Sequence, residues 1–263
     1  MTILGAVAGG LFMGFLALPL VGLILHEPPG RLFASLASPD AVPSLLLSAE
    51  TTVIALAVTV VCGLPLAYLL ARVPFAGRRV VETLVTLPTV LPPAVAGMAL
   101  LVTFGRQGIV GHWLAANLGI QMAFTTPAVV MAQVFVSAPF FVNAARSAFV
   151  QLDPVYEEAA AVDGATRAQA LLHTTLPLVA PALFSGAALT WARALGEFGA
   201  TIIFAGSLPG RTETAPLAIY FAAESDFDAA IALSVILLAV SFAVLLAARL
   251  LRAEAEAPTG GLG

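Results

Sequence analysis

The sequence predicts an all-α, polytopic membrane protein with six transmembrane helices, and three observations carry that prediction. Charged residues make up 10% of the 263 residues and hydrophobic ones 60%, with a mean hydropathy of +1.02. Soluble domains carry about a quarter charged residues, so lipid is the solvent this composition fits. Uncharged runs recur along the chain, each long enough to cross about 30 Å of hydrocarbon, which takes roughly 20 helical residues. The arginines are also divided unequally between the connections that these runs define.

The runs, in order, are Met1–Leu25, Thr52–Ala71, Thr83–Phe104, Thr125–Ala145, Leu178–Ala205 and Ala229–Ala248. The first lacks a positive leader and an A-x-A cleavage site, so it is expected to be a retained span. The third carries Thr86, Thr89 and the Pro92-Pro93 pair, which makes it the best candidate for a broken helix lining a polar path. Pro19, Pro65 and Pro139 read equally as ordinary kinks. The fifth run is interrupted by Arg193 and Glu197. Residues 1–252 form one membrane domain, and 253–263, ending in Pro, Thr and Gly, are expected to be a disordered tail.

With six spans both termini share one side. Arg72, Arg78, Arg79, Arg146, Arg167, Arg249 and Arg252 fall on that side, against Arg31, Arg106 and Arg211 opposite. The positive-inside rule then places both termini in the cytoplasm. Glu213, Glu224, Asp226 and Asp228 gather in the last outer loop.

Several chemistries are excluded. Every Lys/Arg position is Arg, so neither a Walker A phosphate loop nor a Schiff-base lysine exists here. The chain is therefore expected not to be an enzyme, and any ATP must be hydrolysed by another subunit. His26, His112 and His173 fall in three separate loops and make no metal cluster or catalytic dyad. Cys62 reads as a packed thiol. No cofactor, metal or nucleic-acid partner is expected.

The longest connection on the Arg-rich side, about 153–176, opens as a helix: Asp153 caps it, Pro154 suits its first position, and Glu157 and Glu158 favour its N-terminus. Gly164 permits a sharp turn, and a second short helix is expected to run to about His173 before Leu176-Pro177 starts the next span. The pattern Glu158-Ala159-Ala160, Gly164 and Leu176-Pro177 is similar to the EAA loop of ABC importer permeases, although Thr174 stands where that family has an aliphatic residue.

Arg193 and Glu197 lie four residues apart, so they share one helix face and can pair. They read either as a structural ion pair or as part of a gate. The stretch Arg193-Ala194-Leu195-Gly196-Glu197-Phe198-Gly199-Ala200 resembles a segment shared by molybdate and sulfate permeases, and its continuation through Tyr220 looks more like the molybdate branch. The resemblance implies a type I ABC importer permease: a homodimer in the bilayer, two cytoplasmic ATPase subunits docked on the loop, and a periplasmic molybdate-binding protein. Molybdate import is the expectation; sulfate, thiosulfate or tungstate is the alternative, and a stand-alone channel or secondary transporter fits less well. Thr201 and Ser207 could offer hydroxyls to a passing oxyanion, or be ordinary helix and loop residues.

Overall fold

The structure, a computed structural model, describes residues 2–26 and 41–256. Met1, Arg31 and 257–263 lie outside them, and with them the placement expected of Arg31 and most of the expected tail. Among the described residues the regular elements are all helical. Helix α1 is Thr2–His26, α2 Ala41–Arg72, α3 Arg78–Thr86 with a following 3-10 turn Leu87–Thr89, α4 Pro93–Phe104, α5 Ile109–Leu118 and α6 Thr126–Gln151. Then come α7 Val155–Val162, α8 Arg167–Ala170, a π turn Leu171–Thr175, α9 Leu176–Leu195, α10 Gly199–Phe204, α11 Ala215–Ser225 and α12 Phe227–Glu256. Six helical stretches of the described chain are long and apolar enough to cross a membrane.

Helix α6 is the centre of the bundle. It packs against α2 and α9 on one side and against α4 and α10 on the other. Phe141, Val142, Ala145 and Phe149 meet Ala67 and Leu70 of α2 and Val179 of α9. Nearer the α6 N-terminus, Ala128, Val129, Ala132 and Val136 meet Ala96 and Leu100 of α4 and Ala200 and Phe204 of α10. Lipid is as apolar as leucine, so helices associate through close packing and hydrogen bonds. Accordingly α2 buries a seam of small and hydroxyl residues, among them Ser44, Ser48, Thr51, Ala55, Thr59, Gly63 and Ala67. Gln133 of α6 donates Nε2 to Thr51 Oγ1 at 3.1 Å, and Ser48 Oγ accepts the Ala215 amide at 2.7 Å, tying α11 to α2. Helix α2 starts at Ala41, well before the expected Thr52, because Glu50 ends the uncharged run without ending the helix.

Five expectations are corrected. The third span is not one helix over Thr83–Phe104. Pro88, Pro92 and Pro93 lack amide donors and disfavour helix in the residue before them, so the chain breaks between α3 and α4, with Pro92 extended at φ −54°, ψ 134°. The apolar stretch that qualifies as a span is Pro93–Leu118, joining α4 to α5. The fifth run likewise divides into α9 and α10. The second loop helix does not stop near His173; it continues through the π turn into α9. There the Leu176 amide donates to the Leu171 carbonyl, a wider turn that accommodates the donor missing at Pro177. Cys62 is exposed on α2 instead of packed. Helix α12 also continues to Glu256, past the Arg252 boundary set for the tail.

The two breaks meet. Gly199 lies against the Pro93 ring, and a Cβ at Gly97 would sit 2.8 Å from the Ala200 carbonyl and 2.9 Å from Ile203 Cβ. Backbone cannot retreat as a side-chain tip does, so Gly97→Val is expected to destabilise the bundle by about 1–3 kcal/mol. A thermal melt of the detergent-purified chain checks this: an unchanged midpoint would mean that α4 and α10 do not pack this closely.

Candidate functional site

Three places carry the polar chemistry. The first is the loop between α6 and α9. Asp153 Oδ1 accepts the Val155 amide at 3.0 Å and starts α7. After Val162 the chain turns at Gly164, whose φ of +87° is the left-handed region that suits glycine. Thr166 and Gln169 then form a reciprocal capping box that starts α8. Glu158, Ala159 and Gly164 are exposed, Ala160 and Leu176 half-buried, and Pro177 exposed. With Tyr156 and Val162 also exposed, at 49% and 87%, α7 presents a small-residue, partly apolar outer surface.

Glu157, not Glu158, fastens this loop to the bundle. Its Oε1 accepts from the Thr175 hydroxyl at 3.0 Å and lies 3.5 Å from Arg72 Nη2. Arg72 Nη2 also donates to the Leu152 carbonyl at 3.0 Å. Sequence reasoning singled out Glu158 because the motif contains it; the partner that distinguishes Glu157 stands 85 positions away in the chain.

The second place is the α9–α10 break. Arg193 Nη1 and Glu197 Oε2 pair at 2.8 Å, as their spacing predicts. They do so across a helix end, since α9 stops at Leu195 and Gly196 turns the chain. The other oxygen, Glu197 Oε1, accepts the Ala200 amide at 2.8 Å, satisfying a donor that the start of α10 leaves open. The Glu197 side chain is 1% exposed and that of Arg193 30%. Thr201 is fully buried in the next turn, and its hydroxyl has no hydrogen-bond partner among the described residues.

The third place is a cluster on the face bearing Arg72, Arg78 and Arg146. Glu82, read from the sequence only as an interfacial residue, is its hub. Glu82 Oε1 takes Arg78 Nε at 2.9 Å and Arg146 at 2.8 Å from Nη2 and 3.1 Å from Nε. The Arg78 hydrogen bond, helped by the nearby Arg146 charge, holds the Glu82 carboxyl below the usual carboxylate range. Thr86 lines a groove beside this cluster, with its hydroxyl donated to the Glu82 carbonyl. Thr89 donates to the Thr86 carbonyl. Ser207 lies in the loop after α10 and donates to Glu213. The four hydroxyl residues proposed for a path are therefore not brought together: Thr86 and Thr89 neighbour the arginine cluster, Thr201 sits inside α10, and Ser207 belongs to the Glu213 loop.

Broken helices meeting in a bundle, and a short helical loop clamped to one face, are the architecture of a membrane permease. Residues 63–255 match the family of binding-protein-dependent transport system inner membrane components, and the chain belongs to that family, whose members are multi-pass inner-membrane proteins. Within it, the chain is similar to the molybdenum transport system permease protein ModB of Mycobacterium tuberculosis, with 43% identity over 243 residues covering 92% of this chain and 90% of that one. It is also similar to the sulfate transport system permease protein CysT of Escherichia coli, with 36% identity over 234 residues covering 88% and 84% of the two chains. Among solved structures it resembles a bacterial ABC transporter involved in the import of the acidic polysaccharide alginate, at a TM-score of 0.76 and 20% identity, covering 96% of this chain and 95% of that one. It also resembles the MetNI methionine ABC transporter in an inward-facing conformation, at a TM-score of 0.65 and 18% identity, covering 82% and 96%. The two structures establish the ABC importer permease fold.

The unequal exposure of the Arg193–Glu197 pair sets a ranking. Arg193→Met strands a buried carboxylate and is expected to cost about 3–5 kcal/mol. Glu197→Gln keeps an acceptor for the Ala200 amide and leaves unpaired the more exposed partner, Arg193, so it is expected to cost less. Thermal melts of the two purified variants test the order, and the reverse ranking would mean that Glu197 is not held as a buried anion.

Proposed function

We propose that this chain carries molybdate through the inner membrane as the translocating subunit of an ATP-driven importer. The observation that supports the substrate is the difference between relatives: 43% identity over 92% of the chain to a permease named for molybdenum transport, against 36% over 88% to one named for sulfate transport. Both anions are tetrahedral dianions at neutral pH, and the periplasmic molybdate-binding protein does most of the selection between them. Two copies of the chain enclose the path, with two ATPase subunits on the cytoplasmic side. Both termini and the face bearing Arg72, Arg78, Arg79 and Arg146 are cytoplasmic, in keeping with the positive-inside rule.

The 153–176 loop is the coupling element. Exposed Ala159 and Gly164 allow a partner's groove to approach closely, and Glu158 orients it. ATP-driven closure of the ATPase pair draws the two loops together, and the bundles rock between outward-open and inward-open states whose populations ATP shifts. The Arg193–Glu197 pair lies where broken α9–α10 meets broken α3–α4, a position suited to a gate.

Cells lacking the chain are expected to lose molybdenum, measured by mass spectrometry at nanomolar molybdate with sulfate in excess, and to regain it on complementation. Unchanged molybdenum with lost growth on sulfate would assign sulfate instead. Gly164→Asp has open space around its Cβ, so it is expected to insert and fold with only local strain at the positive φ. It is expected to lower uptake by roughly tenfold or more, equivalent to about 1.4 kcal/mol of docking free energy, while the ATPase subunits go on hydrolysing ATP. Normal uptake in this variant would remove the loop from the mechanism.

A further inference from the structure

Beside the Glu82 cluster lies a groove of about 630 Å³ between α3 and α6. Its polar lining is Arg79, Glu82, Thr83, Thr86, Asn143 and Arg146; Leu70, Leu87 and Val90 form apolar walls. We propose that this groove binds a tetrahedral oxyanion, with Arg79 and Arg146 as charged donors and Asn143 as the neutral one. The inference deepens the transport reading and rests on it: the groove is a station on the arginine-bearing face where the anion pauses before release.

Charge and hydrogen-bond bookkeeping both support this. Arg78, Arg79 and Arg146 bring three positive charges to the cluster, and Glu82 returns one negative charge, which leaves two to be met by a dianion. Arg79 makes no ion pair among the described residues, whereas Arg78 and Arg146 are both held by Glu82. Arg146 gives Nε and Nη2 to that carboxylate, which fixes the guanidinium plane and leaves its Nη1 edge uncommitted. Thr83 and Thr86 spend their protons on the Arg79 and Glu82 carbonyls. They therefore supply polar surface and not donors, so the guanidiniums and the Asn143 amide do the recognising.

Glu82 limits affinity as well as positioning Arg146. A carboxylate beside an anion site opposes tight capture, and a transport station must hold its ligand weakly enough to let it go. The phosphate of an anionic lipid offers the same chemistry, so a test has to separate the two sources.

The test uses the full chain in nanodiscs of phosphatidylcholine alone, with radiolabelled molybdate and, separately, radiolabelled sulfate as probes. Arg79→Gln is expected to weaken binding about tenfold, the loss of one charge-assisted contact. Arg79→Lys should retain most of the affinity, and Asn143→Ala should lose several-fold. Arg79→Gln breaks no pair, so its melting midpoint should match the wild type. Equal affinity in wild type and Arg79→Gln would overturn the proposal. So would wild-type binding that disappears when phosphatidylglycerol is added, together with anionic lipid retained by the wild type and released by Arg79→Gln; the groove would then be a lipid site. Uptake in cells separates this inference from the transport reading. A wild-type chain that imports neither anion ends the transport reading. A wild-type importer whose Arg79→Gln variant binds and imports equally well ends only the groove's role.

Discussion

A helix break that is buried away from water must find partners inside the protein for the amides and carbonyls it exposes. The rest of this structure depends on how that constraint is met at two places. At the α9–α10 break, Glu197 accepts the Ala200 amide, and a charge introduced for that purpose must then be neutralised, which Arg193 does at 2.8 Å. At the α3–α4 break, prolines remove donors in advance: Pro92 and Pro93 present no amide to satisfy. One break is solved by adding an acceptor and the other by deleting donors. The two then shield each other, with Gly199 against Pro93 and Gly97 against Ala200.

That mutual shielding needs small residues, and the same rule organises the remaining contacts. Gly63 lets α2 approach Phe141 and Val142 of α6, and Gly186 lets α9 approach Ala144. Where the helices lie this close, hydroxyls and amides bond across the interface, as Gln133 does with Thr51. Helix α6 can therefore serve as the common neighbour of α2, α4, α9 and α10, and movement of one of them is felt by the others through it. Helix α1 stands apart from this core: none of its described spanning residues is buried, and its main neighbour is α12.

The sequence discloses a bilayer protein readily because hydropathy is a local, additive property. The existence of six spans, the pairing of Arg193 with Glu197 and the turn at Gly164 all follow from residues within a few positions of one another. What it conceals is non-local or depends on balance. The uncharged run Thr83–Phe104 is apolar enough for one helix, and only the competing cost of three prolines divides it. Helix α11 is hidden inside a loop because Pro216 and the acidic end at Glu224 look like turn material, whereas Pro216 merely occupies an early helical position. Glu82 and Glu157 draw their importance from Arg146 and Arg72, partners that no spacing rule reaches. A motif points to Glu158 instead, since a motif records what faces outward to a partner better than what fastens the loop within.

The arginine at the end of α2 also stiffens the loop after α6. Arg72 at the end of α2 bonds the Leu152 carbonyl at the end of α6 and pairs with Glu157 of α7. Glu157 in turn holds Thr175 at the foot of α9. Three bundle helices are thereby tied to one turn of α7. A loop that pivoted freely would dissipate a push from a docked partner in its own motion. A loop clamped to α2, α6 and α9 would instead pass such a push to the helices that form the core, as the proposed coupling requires. The one ion pair among these ties, Arg72–Glu157, is partly exposed and contributes little stability on its own. Its contribution lies in geometry: with Arg72 in place, displacing α7 strains its tie to α2, and that stiffness is what the proposed coupling would need.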